Sequence, residues 1–208
     1  MTNGSPPARR PFVIGVTGNI ACGKSLVLQT LDGLGAQTID ADIVYHRLIE
    51  PELPLWETLV ERFGTSILDA DRRIDRRALG AIVFSDDGAL ADLDRLTHPA
   101  VIEAVDRLIS ESTAQVVAVD AVKLIESGMD RSCDRVWLVV CRPEQQIERL
   151  MARNNLPCED AEHRVAAQPP LDAKIARADL IVDNSGSFEA TREQVKRAWR
   201  ELPIQSGY

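Results

Sequence analysis

Five short apolar runs, separated by stretches of helical periodicity, set the pattern of this chain. The first, Phe12 to Val16, is continuous and rich in β-branched residues, as in a strand buried on both faces of a parallel sheet. A glycine-containing loop follows. Lys24 to Leu34 then carries Leu26, Val27, Leu31 and Leu34 at helical spacing, with Gly35 as the stop signal. Ala36 to Ile39 predicts a second strand, ending at Asp40-Ala41-Asp42. From residue 43 the period changes, and helices are predicted at 43–50, 54–63, 76–83, 87–96 and 99–112. Pro51, Gly64 and the charged turn at 69–73 divide them, and His98-Pro99 reads as a helix start with Pro99 in the first turn. Strands return at Gln115 to Val122 and Arg135 to Cys141. Pro143 opens a helix to Asn154, and 155–178 is polar with several Arg and Lys and three prolines. A last strand is predicted at Leu180 to Val182 and a last helix from Phe188 to Leu202. Strands alternating with helices predict an α/β fold, a five-stranded parallel sheet with helices on both faces, interrupted by a helical insertion.

Composition narrows the function classes. The 208 residues accommodate one α/β domain with an inserted subdomain. A net charge of −8 argues against nucleic-acid binding through a basic surface. Cys22, Cys133, Cys141 and Cys158 form no CxxC pair, so neither a metal site nor a disulfide framework is expected, and reduced thiols in a cytoplasmic protein are. No apolar run reaches membrane-spanning length, and residues 1–10 read as a disordered tail rather than a secretory signal.

The chemistry is concentrated at Gly18-Asn19-Ile20-Ala21-Cys22-Gly23-Lys24-Ser25, which fits G-x-x-x-x-G-K-[ST] and lies between a predicted strand and a predicted helix. Its glycines let successive backbone N–H groups turn inward onto phosphates at a helix N-terminus. Lys24 is expected to span the β- and γ-phosphates of ATP, and the Ser25 hydroxyl to ligate Mg²⁺. Cys22 reads as a small residue tolerated inside the loop, with a redox-sensitive thiol as the rival reading. The guanine-reading and switch elements of GTPases are missing, as are the length and basic surfaces of motors and helicases. A short P-loop chain with a helical insertion and a late Arg-rich segment is built like a small-molecule kinase.

The residues carry a closer resemblance. Ile14 to Ser25, then Gly35 to Asp42, Phe63-Gly64 with Ile67-Leu68, Ile74 to Leu79, Val83-Phe84, His98-Pro99, Gln146, Arg149-Leu150, Arg153, Arg164, Gln168, Ala178-Asp179 and Asp183-Asn184-Ser185-Gly186 follow one another as in the dephospho-coenzyme A kinases. The resemblance spans about residues 12 to 200. It implies transfer of the γ-phosphoryl of ATP to the ribose 3′-hydroxyl of dephospho-coenzyme A, the last step of coenzyme A synthesis. It also implies a nucleotide-binding core (11–42, 113–154 and 179–208), a helical acceptor-binding domain (43–112) and a lid (155–178). Asp42 becomes the candidate base, with a helix N-cap as the alternative. Nucleotide contacts are assigned to Gly18 through Leu26, Arg153 and Asn184, the last in a loop expected at the adenine or else a simple turn. Arg149 is assigned to charge on the transferring group. Asp40 or Asp120 is left to assist Mg²⁺, Arg164 and Lys174 to close over ATP, and Arg76 or Arg77 to meet the acceptor's phosphate. Two departures stand out: Leu26 replaces a usual Ser or Thr, and Val122-Lys123-Leu124-Ile125-Glu126 replaces a Pro-containing segment. A nucleoside or nucleotide kinase and an ATP-binding regulatory module are the rival functions. No nucleic-acid or membrane partner is expected, and the oligomeric state is expected to be a monomer or a weak homo-oligomer.

Overall fold

The computed structural model describes residues 10–204. The tail expected over 1–10 lies outside the described residues except for Arg10, which pairs with Asp134 at 3.0 Å. Residues 205–208, included in the expected core, also lie outside them.

The chain divides into two compact units, residues 1–38 with 109–208, and residues 39–108. Strands β1 (Phe12–Thr17), β2 (Gln37–Asp40), β3 (Val116–Asp120), β4 (Arg135–Val140) and β5 (Leu180–Asp183) form one parallel sheet in the order β2-β3-β1-β4-β5. β1 is central. It aligns Val16 with Asp120 on one side and with Trp137 on the other. Alternate residues explain the layering, because side chains two apart share a sheet face. Ile14 and Val16, Val116 and Ala118, and Trp137 and Val139 pack in one buried cluster with Val27 and Leu31 of α1 (Lys24–Gly33) and Val195 of α9 (Phe188–Arg200). On the other face, Leu124 and Cys133 of the β3–β4 connection lie against Gly15. Helices α6 (Pro143–Asn154), α7 (Cys158–Ala166) and the short α8 (Asp172–Ile175) complete this unit.

The second unit contains α2 (Ala41–Leu48), α3 (Pro54–Phe63), α4 (Arg76–Val83) and most of α5 (Asp87–Glu111). Its own core includes Leu55, Trp56, Leu59 and Phe63 of α3 with Leu79 and Val83 of α4. One expectation is overturned here. The helices predicted at 87–96 and 99–112 are a single helix, with Pro99 inside it rather than at a start. Leu90, Leu93, Leu96 and Ala100 pack on the same core from both sides of the proline, so burial carries the helix through the missing N–H. The polar segment 155–178 is also more ordered than its composition suggests, since it holds α7 and α8.

Candidate active site

The phosphate loop leaves β1 at Thr17 and enters α1 at Lys24. Gly23 is the N-cap of α1 with φ 94°, and it brings no side-chain cap. Elsewhere Asp40, Asp75 and Ser187 cap their helices with side-chain oxygens. At α1 no side chain caps the first turn, where the N–H of Leu26 donates to Gly23 O at 3.1 Å. Packing as well as backbone conformation demands both glycines. A Cβ on Gly18 would sit 2.4 Å from the carbonyl oxygen of Val139, and one on Gly23 would sit 2.0 Å from Nδ2 of Asn184.

The loop is braced through its carbonyls. Gln146 Nε2 donates to Ile20 O at 2.9 Å, and Arg149 Nη1 donates to Ala21 O and Cys22 O, each at 3.2 Å. Arg149 Nη2 donates to Asn184 O at 3.2 Å, while Asn184 Nδ2 donates to Cys22 O at 2.8 Å. Thr191 Oγ1 in turn donates to Asn184 Oδ1 at 2.9 Å. These donors satisfy the carbonyls of Ile20, Ala21 and Cys22 from behind, while among the loop's own N–H groups those of Ile20 and Cys22 donate to Gln168 Oε1 and Asn19 O. Arg149 thus meets the loop's backbone, and buried Asn184 is part of the brace. Arg153 stands exposed one turn on, and its recorded partner is the neighbouring Asn154 at 3.0 Å.

At the mouth of the loop, Lys24 Nζ lies 3.5 Å from Gly18 O and 4.0 Å from Asp120 Oδ1. Ser25 follows it, exposed in the first turn, and Leu26 is half-buried behind. Cys22 is buried in the core cluster. Burial pushes its thiol pKa above the usual value, against the opposing pull of Lys24. A thiol held protonated is a poor nucleophile, which speaks for the reading of Cys22 as a small residue in the loop.

Four contacts were not foreseen, those of Gln168, Gln146, Thr191 and Lys174. Ile20 N donates to Gln168 Oε1 at 2.6 Å, so the segment after α7 touches the phosphate loop. Gln146 and Thr191 are polar residues on amphipathic helices, and a linear pattern gives no sign of their targets. Lys174, expected to be mobile over ATP, is buried and donates to Val122 O at 2.6 Å. Arg164 is exposed.

In the other unit, Asp40 Oδ1 accepts from Asp42 N and Ile43 N at 2.8 and 3.0 Å. Asp40 is therefore the N-cap of α2, and Asp42 is not. The exposed Asp42 carboxylate stands in the first turn, free of a capping role. A cavity of ≈ 430 Å³ in this unit is lined by His46, Arg47, Arg73 and Arg76, with Glu50 and Asp69 as its acids. Arg77 is not among its lining residues. Burial and the Arg76 charge lower the pKa of His46, with Asp42 and Asp40 opposing them.

The chain matches, over residues 12–190, the family model described as dephospho-CoA kinase. A dephospho-CoA kinase of Symbiobacterium thermophilum is 45% identical over 191 residues, which is 90% of this chain and 80% of that one. The chain belongs to the dephospho-CoA kinase family. Among solved structures, a Thermus thermophilus protein superposes with a TM-score of 0.80 at 33% identity, over 93% of this chain and 99% of that one. Dephospho-CoA kinase from Campylobacter jejuni superposes with a TM-score of 0.63 at 29% identity, over 91% and 96%. The matched span contains the phosphate loop, its Arg149–Asn184 brace and Asp42.

Proposed function

We propose that this chain transfers the γ-phosphoryl group of ATP to the ribose 3′-hydroxyl of dephospho-coenzyme A, giving coenzyme A and ADP in the last step of coenzyme A synthesis. Family membership over residues 12–190 carries the choice of acceptor. The braced phosphate loop supplies the chemistry. Its N–H groups and Lys24 bind the ATP phosphates and stabilise charge spread over the equatorial oxygens. Gly18 through Leu26 form the nucleotide cradle, and Arg149 and Asn184 hold its shape from behind. Arg153 is assigned to the nucleotide on the family resemblance.

Asp42 acts as the base. The 3′-hydroxyl oxygen attacks the γ-phosphorus, its proton passes to the Asp42 carboxylate, and ADP departs. That Asp40 takes the capping role supports this assignment, because Asp42 keeps an exposed carboxylate. Ser25 Oγ and the Asp120 carboxylate are hard oxygen donors flanking Lys24, the kind that Mg²⁺ takes alongside phosphate and water oxygens. When bound, the ion neutralises charge on the β- and γ-oxygens.

Residues 11–42, 113–154 and 179–208 are assigned to the nucleotide-binding core, 43–112 to acceptor binding and 155–178 to a lid. The cavity among Arg47, Arg73 and Arg76 supports the acceptor assignment, since guanidinium groups suit a diphosphate. It also favours Arg76 over Arg77 as the phosphate contact. No described helix is long and apolar enough to cross a membrane. We place the enzyme in the cytoplasm, where ATP is made, as a monomer or weak homo-oligomer acting on small molecules rather than nucleic acid.

The test is ADP release with Mg²⁺-ATP, comparing dephospho-coenzyme A with adenosine, AMP, CMP and no acceptor. Turnover should depend on dephospho-coenzyme A. Asp42→Asn should lower kcat by about 10²–10⁴ while ATP still binds. Tight ATP binding without turnover on any acceptor would sink the kinase reading.

A further inference from the structure

Lys174 is buried although it carries a charge. Its side chain is 4% exposed, and its ammonium lies 3.2 Å from Glu126 Oε1 and 2.6 Å from the carbonyl oxygen of Val122. A buried ammonium is costly unless it is paired and hydrogen-bonded, so this geometry is strongly determined. The same carbonyl accepts a second bond, from Thr17 Oγ1 at 3.1 Å. Thr17 is the last residue of β1, and its side chain is fully buried. The next residue, Gly18, presents its carbonyl 3.5 Å from Lys24 Nζ. Val122 lies two residues after Asp120, which closes β3 and stands 4.0 Å from Lys24 Nζ. The two strand exits that flank the Lys24 ammonium are thus joined at one carbonyl, and Lys174 holds that carbonyl.

A comparison lies three residues away. Arg177 pairs with the buried Asp130, in the turn Met129–Ser132. That pair ties the same short segment to the same β3–β4 connection, yet it touches neither strand exit. Its role is satisfied by stability alone.

We propose that Lys174 is a positioning residue for phosphoryl transfer, setting the exits of β1 and β3 around the Lys24 ammonium. This goes beyond the proposed function and rests on the role given there to Lys24. A displaced Lys24 or Asp120 weakens contacts made to the transferring group more than those made to bound ATP, and misplacement by about 1 Å can cost about 100-fold.

The experiment pairs kinetics with thermal unfolding. Lys174→Met removes the buried donor to Val122 O and leaves Glu126, whose side chain is 34% exposed, without its partner, and it lowers Tm. Lys174→Met with Glu126→Met removes both charges, so that no effect of the variant can be assigned to a carboxylate left without its partner. The double variant should still show kcat reduced roughly 10- to 100-fold with KM for ATP little changed. Lys174→Arg should restore part of kcat by keeping a donor and a charge. Arg177→Met should lower Tm and leave both kinetic constants at wild-type values. If the double variant does not fold, Thr17→Val carries the test, since it removes the other donor to Val122 O and should lower kcat by a smaller factor. Wild-type kcat in the folded double variant, or in Thr17→Val where that variant carries the test, overturns the proposal. Equal kinetic losses in Arg177→Met overturn it too. Wild-type turnover of dephospho-coenzyme A in the same assay separates either failure from failure of the kinase reading.

Discussion

The guanidinium of Arg149 hydrogen-bonds carbonyls of Ala21, Cys22 and Asn184 from one rigid fork. An ammonium on a flexible stem does not reproduce that pattern, so Arg149→Lys is not a conservative change. Hydrogen bonds to a charged donor contribute about 1.5–3 kcal/mol. Arg149→Lys should therefore weaken ATP binding by roughly 10- to 100-fold, read by calorimetry with a non-hydrolysable analogue. Unchanged affinity would show that the loop keeps its shape without the fork. Cys22 yields a second prediction at this scale. Its burial and raised pKa leave little thiolate near neutral pH. Iodoacetamide should label exposed Cys158 and spare Cys22, with or without ATP, as read by peptide mass mapping. Rapid, ATP-protected labelling of Cys22 would contradict this.

Among the elements, α3, α4 and α6 run over the spans expected from apolar spacing, because each has a clear start: Pro54, Asp75 ahead of Arg76, and Pro143. α5 does not follow its local signals. Pro99 predicts a break, yet Leu90, Leu93, Leu96 and Ala100 bury on one core and hold the helix continuous. Restoring an N–H there should help. Interior proline costs about 3 kcal/mol relative to alanine, and the looser unfolded chain of the variant takes back up to about 1 kcal/mol. Pro99→Ala should thus stabilise the protein by about 2 kcal/mol in denaturant unfolding. A loss of stability would mean that the surrounding core requires the proline's local bend. The segment 155–178, polar and expected to be a lid, holds contacts that its composition does not announce. α7 packs on α6, and Gln168 reaches the backbone of Ile20. Ile20 and Gln168 are 148 residues apart, where periodicity has no reach.

At the scale of the whole molecule, the parallel sheet places the phosphate loop at the end of its central strand, and the net charge of −8 is offset there by Lys24 and by oriented N–H groups. A ligand that binds the folded state alone stabilises it by mass action, by about 2.7 kcal/mol at one hundred times Kd. Mg²⁺-ATP should accordingly raise Tm, and Lys24→Ala should abolish most of that shift while the unliganded Tm stays near wild type. An equal shift in the variant would remove Lys24 from the nucleotide site. Apolar runs, helical spacing and the eight-residue glycine loop determined the α/β class, the five strands, the helical insertion and the place of the phosphates, because each is written in residues close together along the chain. Tertiary structure alone decided that Asp40 rather than Asp42 caps α2, that Arg149 and Asn184 brace the loop, and that Lys174 is buried beneath Val122. Those outcomes depend on which carbonyl or carboxylate a side chain meets across the fold, and such meetings are settled by packing and burial rather than by spacing.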